Sequence, residues 1–438
     1  MGLTSLIGRL AASGPVPVFA IAGSGMRSAV QDLRLVREIQ LVDTPRAAAI
    51  LLIAGDLDDA HRDALARTHD LLPHPRATVA WATPDQLAGL ATVTTWIDRD
   101  GDPAPTLRSL FQELLTRSRP SEPPLLPDVD PVEWRGVGPY GQGGTGMTGG
   151  HPYGRPMAEL LPDRDGLRLD ALPVAVGPFF PRLPAGLVLD LKTAGDVVVE
   201  AAVIEAPIGR PLSPSFARTP SPFVRALLEP VPIAEVEMAR AQDHLRWLAD
   251  ALIAQGIPAY GLRALRLAHD LRPGQGDRIR AVAGQLRRTG LFRWSLPQAG
   301  RIDPARLAEQ GLGPLAWAAG LADDVRLDDP GYRALGFAPF VLDRNDSVGR
   351  WQVRLEEAAR SLELAQHAAG RMTTVLGRVE SPRGRLQLGD SPTGRALELI
   401  PDLLPGLEWG DAVATLISLD LDFDEARAVA TVEMEATA

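Results

Sequence analysis

The chain contains no cysteine among its 438 residues. Disulfide bonds, thiolate nucleophiles, cysteine-held iron–sulfur clusters and zinc fingers are therefore excluded. The lack of disulfides fits a cytoplasmic protein. Lysine is almost as rare, since Lys192 is the only one. Chemistry that depends on a Schiff-base lysine or a phosphate-binding P-loop lysine therefore has almost no place in this chain.

Long apolar runs and an excess of positive charge are also missing. The longest apolar stretch, about residues 47–55, is far shorter than the roughly 18 to 20 residues that span a bilayer. The N-terminal stretch is a poor match to a signal peptide. With 45 basic and 55 acidic residues, the net charge of −10 argues against a nucleic-acid partner. The sequence predicts a soluble, cytoplasmic chain.

Glycine and proline are abundant. The 42 glycines and 39 prolines exceed the roughly 12% expected for both together. Many of them fall in a proline-rich stretch after residue 118 and a glycine-rich run at 138–154. We predict a domain boundary there, with one domain at 1–117, a linker or docking loop at 118–165, and a second domain at 166–438.

The first hundred residues alternate buried strands with helical spacing. Predicted strands are Val16–Ala22, Ala48–Ala54 and Ala77–Trp81, and predicted helices are Met26–Ile39 and Asp56–Leu72. This order is typical of an α/β domain with a parallel sheet flanked by helices.

The second half begins with short strands and then becomes helical. Predicted strands are Leu172–Val176, Gly186–Leu191 and Asp196–Ala202, and predicted helices are Ile233–Gln255, Asp346–Gln366 and Asp411–Leu421. We therefore predict a larger, mainly α-helical C-terminal domain with a small β region.

Candidate chemical motifs are weak. The turn Gly23–Ser28 with Asp43 downstream resembles a dinucleotide site, but Ser28 replaces the third glycine. The spacing of His61, His69 and His74 does not place three ligands on one helical face, and we predict that they lie at the surface. The sequence indicates no metal site and no catalytic residue.

Five segments between about residues 172 and 430 resemble one family and follow its order. They are 234–248, 313–324, 346–357, 379–384 and 409–420; the fourth reads Val-Glu-Ser-Pro-Arg-Gly. They resemble the quinone-site subunit of respiratory complex I, which is related to the large subunit of NiFe hydrogenases. The resemblance implies a hydrogenase-large-subunit-like fold for the C-terminal domain.

Residues 18–81, and above all 43–55, resemble the small complex I subunit that carries a 4Fe–4S cluster. That family has tandem cysteines after the first strand, where this chain has Gly23, Ser24, Gly25 and Met26. Another family cysteine follows the third strand, where this chain reads Trp-Ala-Thr-Pro from residue 81. The resemblance therefore implies a fused protein that has lost the usual cluster ligands.

The motif that corresponds to the quinone site has also lost its functional residue. Quinone-reactive members have a Gly–Pro–x–His–Pro turn, and the matching stretch here is residues 177–181, with Phe179 and Phe180 in its centre. The cysteine pairs that hold nickel in hydrogenases are absent as well. The resemblance implies a redox-inactive subunit with no cofactor of its own.

The resemblance also implies a location and partners for the chain. Related subunits sit against a membrane arm, so we expect this chain on the inner face of the membrane, docked on antiporter-like, ion-translocating subunits. The candidate docking residues are Tyr140, His151, Tyr153 and Arg155 of the glycine-rich run. Two alternatives remain open: a quinone- or small-molecule-binding subunit with Phe179 and Phe180 in its pocket, and an NAD(P)-binding oxidoreductase.

Overall fold

The computed structural model describes residues 13–82, 93, 95–128, 158–162, 166–210, 212, 220–292 and 299–437. Its first part is a five-stranded sheet with the strand order β2-β1-β3-β4-β5. The strands are β1 (Val16–Ala22), β2 (Ile39–Leu41), β3 (Ile50–Ala54), β4 (Ala77–Trp81) and β5 (Thr95–Ile97). All neighbouring strands run parallel. The predicted parallel sheet is confirmed.

Three helices accompany this sheet: α1 (Arg27–Asp32), α2 (Arg62–Asp70) and α3 (Pro103–Thr116). Helix α3 begins after Asp102, whose carboxylate accepts a hydrogen bond from the amide of Ala104 at 3.0 Å. Leu107, Leu110 and Phe111 lie at helical spacing on its buried face. This apolar stripe holds α3 against the sheet.

The predicted helix Met26–Ile39 is wrong in its length. Helix α1 ends at Asp32, a short 3₁₀ turn follows, and residues 39–41 form the edge strand β2. Val36 is already extended, with φ −81° and ψ 118°. Pairing of Ile39 with Val16 gives this segment backbone hydrogen bonds on the sheet, and these outweigh its local helical spacing.

The predicted surface position of His61 and His69 is also wrong. Their exposed fractions are 5% and 1%. The His69 ring lies between Asp70 at 2.8 Å and Glu122 at 3.2 Å. Glu122 belongs to the proline-rich segment and also accepts hydrogen bonds from Thr78 of β4. The described start of the predicted linker therefore packs against the α/β region.

The C-terminal part opens with a four-stranded antiparallel sheet. It contains β6 (Leu160–Pro162), β7 (Arg168–Val176), β8 (Val188–Ala194) and β9 (Val197–Glu205), paired in that order. Two small antiparallel pairs follow, β10 (Val231–Pro232) with β11 (Thr374–Val375), and β12 (Val379–Ser381) with β13 (Gly384–Leu386).

Most of the remaining C-terminal residues are helical, which confirms the mainly helical prediction. The helices are α4 (Pro222–Arg225), α5 (Ile233–Ala254), α6 (Pro258–His269), α7 (Gly276–Arg288), α8 (Pro304–Leu307), α9 (Pro314–Ala318), α10 (Pro330–Ala334), α11 (Ser347–Ala368), α12 (Pro392–Leu397), α13 (Ile400–Leu403), α14 (Trp409–Leu419) and α15 (Phe423–Thr437). None of the helices in the described ranges is both long and apolar enough to cross a membrane.

The two longest helices, α5 and α11, pack against each other at the centre of this part. Trp247 and Trp351 meet edge to face, with ring centroids 5.1 Å apart. The Trp247 indole also donates to the carbonyl of Ile417 at 2.9 Å, which ties α14 to the pair. This packing brings charged residues of α5 and α11 into the interior, where the candidate site lies.

Candidate functional site

Charged side chains fill part of the interior between α5 and α11. Arg326 is their centre, because its guanidinium donates to Asp324 at 2.7 Å and to Glu357 at 2.8 Å. Glu237 accepts from the Tyr332 hydroxyl at 2.6 Å. We call these buried residues, with Arg240, the Arg326 network: Glu237, Arg240, Asp324, Arg326, Tyr332 and Glu357.

The Arg326 network carries fixed charges. Burial alone would raise the pKa of Glu237, but the neighbouring Arg240 and Arg326 guanidinium groups bring that pKa below its ordinary value. Burial likewise opposes the charge of Arg326, and its carboxylate partners more than offset this, so its pKa is raised. Both members stay ionised near neutral pH, which fits a structural role and not proton transfer.

A second charged group surrounds Arg383, in the turn between β12 and β13. Its guanidinium nitrogens lie 2.8 Å from Asp422, 3.4 Å from Glu425, 3.6 Å from Asp420 and 3.8 Å from Asp243. We call these five residues the Arg383 cluster. The cluster joins the start of α15, the end of α14 and the middle of α5 around Arg383, and Arg354 of α11 also donates to Asp420 at 2.9 Å.

Arg383 and Arg354 are two cations beside four carboxylates, and the pKa values of the carboxyl groups reflect this. Burial, with repulsion from Asp422 as a further cause, raises the pKa of Glu425 to about 7 and that of Asp243 to about 6. Burial opposes the charge of Asp422 as well, but Arg383, Arg27 and backbone N–H donors hold its pKa below the ordinary value. The Arg383 cluster thus combines a fixed anion with carboxyl groups that titrate near neutral pH.

Glu425 therefore makes stability depend on pH. Because its pKa is raised in the folded state, the stabilisation is present at low pH and is lost as the pH rises through about 7. We expect the unfolding free energy of wild type to fall by up to about 3 kcal/mol from pH 5 to pH 8 because of this group. Glu425→Gln should lack this loss. Urea titrations at both pH values measure this difference. Glu229→Gln, at an exposed carboxylate, is the control and should follow the wild-type curve.

A cavity of about 380 Å³ lies beside the Arg383 cluster, between the α/β region and the C-terminal helices. We call it the interface cavity. Its N-terminal wall is formed by the turn after β1 and by α1, with Gly25, Arg27 and Ser28. Its C-terminal wall includes Asp243 of α5 and Trp247. The volume lies in the range of about 300–1,000 Å³ that is typical of small-molecule sites.

The turn Gly23–Met26 lies against α15. It is the turn that corresponds, by the resemblance noted in the sequence, to the tandem cysteines of the small complex I subunit. The amide of Gly25 donates to Asp424 at 2.8 Å, and Arg427 donates to the Ser24 hydroxyl at 2.5 Å. Met26 points into the core of the α/β region. Sequence reasoning missed Asp424 and Arg427, since nothing in their local pattern links them to a turn about 400 residues away.

This contact also bears on the dinucleotide alternative. Burial and the neighbouring Asp422 raise the pKa of Asp424 to about 6, so its carboxyl is largely ionised at neutral pH. A carboxylate on the Gly25 amide occupies the donor that a phosphate needs, and it repels a phosphate. Asp43 is paired with Arg182 at 2.6 Å. The geometry therefore disfavours NAD(P) at this turn.

Phe179 and Phe180 point into different cores. Phe179 meets the His61 ring edge to face at 5.9 Å and packs with the α/β region. Phe180 meets the Trp409 ring edge to face at 5.8 Å and packs with the C-terminal core. Both line a second cavity of about 110 Å³, well below the usual size of a small-molecule site.

The predicted docking residues Tyr140, His151, Tyr153 and Arg155 lie outside the described residues. Within the part of the chain that the structure describes, no three His, Asp or Glu side chains are arranged to hold a metal ion.

Comparisons with known proteins give a family match for one segment of the chain. Residues 276–393 match the family described as respiratory-chain NADH dehydrogenase, 49 Kd subunit. The D 1 subunit of the NADH-quinone oxidoreductase of Streptomyces griseus is 30% identical over 156 residues, which cover 32% of this chain and 36% of that protein. The D subunit of the enzyme with the same name from Nocardioides sp. is 27% identical over 172 residues, covering 34% and 37%. The chain thus spans about a third of the length of the curated relatives that it matches.

A solved structure of the membrane-bound sulfane sulfur reductase, an archaeal respiratory membrane complex, includes a chain that aligns with 59% of this one and 98% of its own length. The identity is 19% and the TM-score 0.42. The sequence matches confirm a region like the complex I 49 kDa subunit in the C-terminal part. The likeness of the α/β region to the small subunit stays a prediction.

Proposed function

We propose that the chain is a redox-inactive, complex I-like peripheral subunit that docks on membrane-embedded, antiporter-like subunits at the inner face of the membrane. The observation that carries this proposal is the turn Gly23–Met26, which has no thiolate and is in contact with Asp424 and Arg427 instead. A region like the 49 kDa subunit in the same chain supports the assignment to a complex I-like assembly.

The residues present do not fit a 4Fe–4S cluster. Such clusters are held by cysteine thiolates, and the chain has none. The turn has one hydroxyl, on Ser24, and it accepts a hydrogen bond from Arg427. No electron-transfer step through a cluster is therefore assigned to this chain. Its role is structural support of the membrane subunits, or the coupling of another event to ion movement.

The proposal includes the domain organisation. A small-subunit-like α/β domain at 1–117 and a hydrogenase-large-subunit-like domain at 166–438 are fused through the segment 118–165. The contacts between the two parts support a stable fusion: Arg246 of α5 donates to Asp32 of α1 at 2.7 Å, and Gln31 donates to Asp250 at 2.5 Å.

Affinity purification of the full chain from native membranes in mild detergent tests the proposal. We expect antiporter-like membrane subunits to co-purify and the chain to carry no stoichiometric iron or nickel. A chain that purifies alone in every mild detergent, or one with stoichiometric iron or nickel, contradicts it. The metal count and the co-purifying chains are obtained from the same sample.

The docking loop has a test of its own. We expect a variant with alanine at Tyr140, His151, Tyr153 and Arg155 to fold like wild type but to recover less of the membrane subunits. The matched control carries alanine at exposed arginines of α7: Arg278, Arg287 and Arg288. Equal recovery by the variant and the control removes this loop from the proposal without removing the subunit assignment.

A further inference from the structure

The described start of the segment that follows α3 is fastened to the α/β region by a buried group of polar contacts. The amide of Glu122 donates to the carbonyl of Arg76 at 3.1 Å. The Glu122 carboxylate accepts from the amide and from the hydroxyl of Thr78, each at 2.8 Å. We call the whole group the His69 clasp: His69, Asp70, Arg76, Thr78, Glu122, Leu125 and Leu126.

Asp70 holds the same segment by its backbone. Its carboxylate accepts hydrogen bonds from the amides of Leu125 and Leu126, each at 2.9 Å, and Leu125 packs against an apolar core of the α/β region. Burial opposes the charge of Asp70, but these two amides and His69 bring its pKa below the ordinary value. The Asp70 carboxyl is therefore ionised near neutral pH.

The His69 ring joins the two carboxylates that hold the segment. Its Nδ1 lies 2.8 Å from Oδ1 of Asp70, and its Nε2 lies 3.2 Å from Oε2 of Glu122. A neutral imidazole has one N–H, and the lone pair of its other nitrogen repels a carboxylate oxygen. Only the imidazolium donates from both nitrogens. The hydrogen-bond partners therefore indicate a doubly protonated ring in the closed clasp.

The charges of the clasp favour the same protonation state. The charged groups around the ring are Asp70 of its own helix, Arg76 before β4 and Glu122 after α3. The Arg76 guanidinium donates to the Asp70 carboxylate at 3.3 Å and to the His69 carbonyl at 3.3 Å. The exposed fractions of His69, Arg76 and Glu122 are 1%, 2% and 7%, so water compensates little of any charge left over. An imidazolium balances two carboxylates and one guanidinium.

We propose that His69 is a pH-dependent clasp, which fixes residues 121–126 to the α/β region while its ring is an imidazolium and loosens them when the ring proton is lost. The contact is complete at low pH and weakens as the pH rises, because one ring nitrogen then presents a lone pair to a carboxylate. Loosening moves the anchored end of the connecting segment back toward the end of α3. The clasp goes beyond the proposed membrane role, since it needs no partner.

Nitrogen NMR of the full chain labelled with ¹⁵N-histidine tests the protonation state. The chain has seven histidines, and the signals that disappear in His69→Gln assign the ring of His69. We expect both of its nitrogens to be protonated at pH 6.5. A neutral His69 ring at that pH, in chain that is folded by circular dichroism, overturns the proposal.

Hydrogen exchange of the peptide that contains Leu125 and Leu126 measures the clasp itself. After correction for the intrinsic pH dependence of exchange, we expect at least about tenfold less protection at pH 9.5 than at pH 6.5. The buried face of α3 is the internal reference and should keep its corrected protection. Equal corrected protection of Leu125 and Leu126 at the two pH values in folded chain overturns the proposal.

Two variants separate His69 from the other histidine of this region. Glu122→Gln should remove most of the pH dependence, because its amide N–H can donate to a neutral ring while its oxygen still accepts from the Thr78 amide. His74 is exposed, with its Nδ1 2.6 Å from the Ser121 hydroxyl, and His74→Gln should behave like wild type. Loss of the pH dependence in His74→Gln but not in Glu122→Gln assigns the effect to His74 and overturns the role of His69.

Discussion

Replacing Arg326 with methionine is expected to lower the free energy of unfolding by about 3–5 kcal/mol. Methionine keeps much of the side-chain length but removes the cation that contacts Asp324 and Glu357. Those carboxylates then lie in the interior without a compensating charge. The guanidinium also packs 4.2 Å from the centroid of the Phe337 ring, and this contact is lost as well. Chemical denaturation at pH 7.5 measures the change.

Arg333→Met is the matched control for this variant. Arg333 lies a few residues away in α10, is exposed, and donates to the backbone carbonyl of Asp328 at 2.9 Å. Its loss should change the free energy of unfolding by less than about 1 kcal/mol. Comparable losses in both variants would show that the Arg326 network contributes no more than a surface contact.

Gly384→Ala is expected to destabilise the protein by at least about 3 kcal/mol. The residue follows Arg383 and has φ +139°, and a Cβ placed there would lie 2.1 Å from the carbonyl oxygen of Gly311. That carbonyl accepts a hydrogen bond from the amide of Arg385 at 2.8 Å, so the two backbones are locked together. Relief of the clash must separate them and shift Arg383 away from its carboxylates. Thermal and urea unfolding report the loss.

The control for this prediction separates steric clash from backbone strain. Gly377 has φ +88° but no neighbouring atom within 4 Å of an added Cβ. Gly377→Ala should therefore show only the conformational cost of about 1–2 kcal/mol.

The secondary structure was predictable where the residues that become buried form a clear local pattern in the sequence. Residues 16–22 are apolar and flanked by proline and glycine, and the strand β1 has those same bounds. Helix α5 begins at the predicted residue and ends one residue before the predicted end. Strand β2, by contrast, has three residues, and its identity depends on pairing with β1, which no local pattern shows.

The candidate site was much less predictable. Arg383 stands in a segment that the sequence singles out, but its acidic partners come from residue 243 and from residues 420–425. Each of these carboxylates has the local pattern of an ordinary surface acid on a helix or in a turn. Only the packing of α5 against α14 and α15 brings them together, and burial then changes their pKa values. The Oδ1 of Asp420, which accepts no hydrogen bond from a described residue, has no sequence signature at all.

The contact between the turn after β1 and α15 has a consequence for the maturation of the protein and for its sensitivity to oxidation. It consists of a backbone N–H, a hydroxyl and side-chain charges, from Gly25, Ser24, Asp424 and Arg427. Such a contact forms as the chain folds, needs no iron delivery, and is not attacked by oxygen. The contact between the two halves is thus insensitive to oxidants, whereas a cluster at that place would be exposed to them.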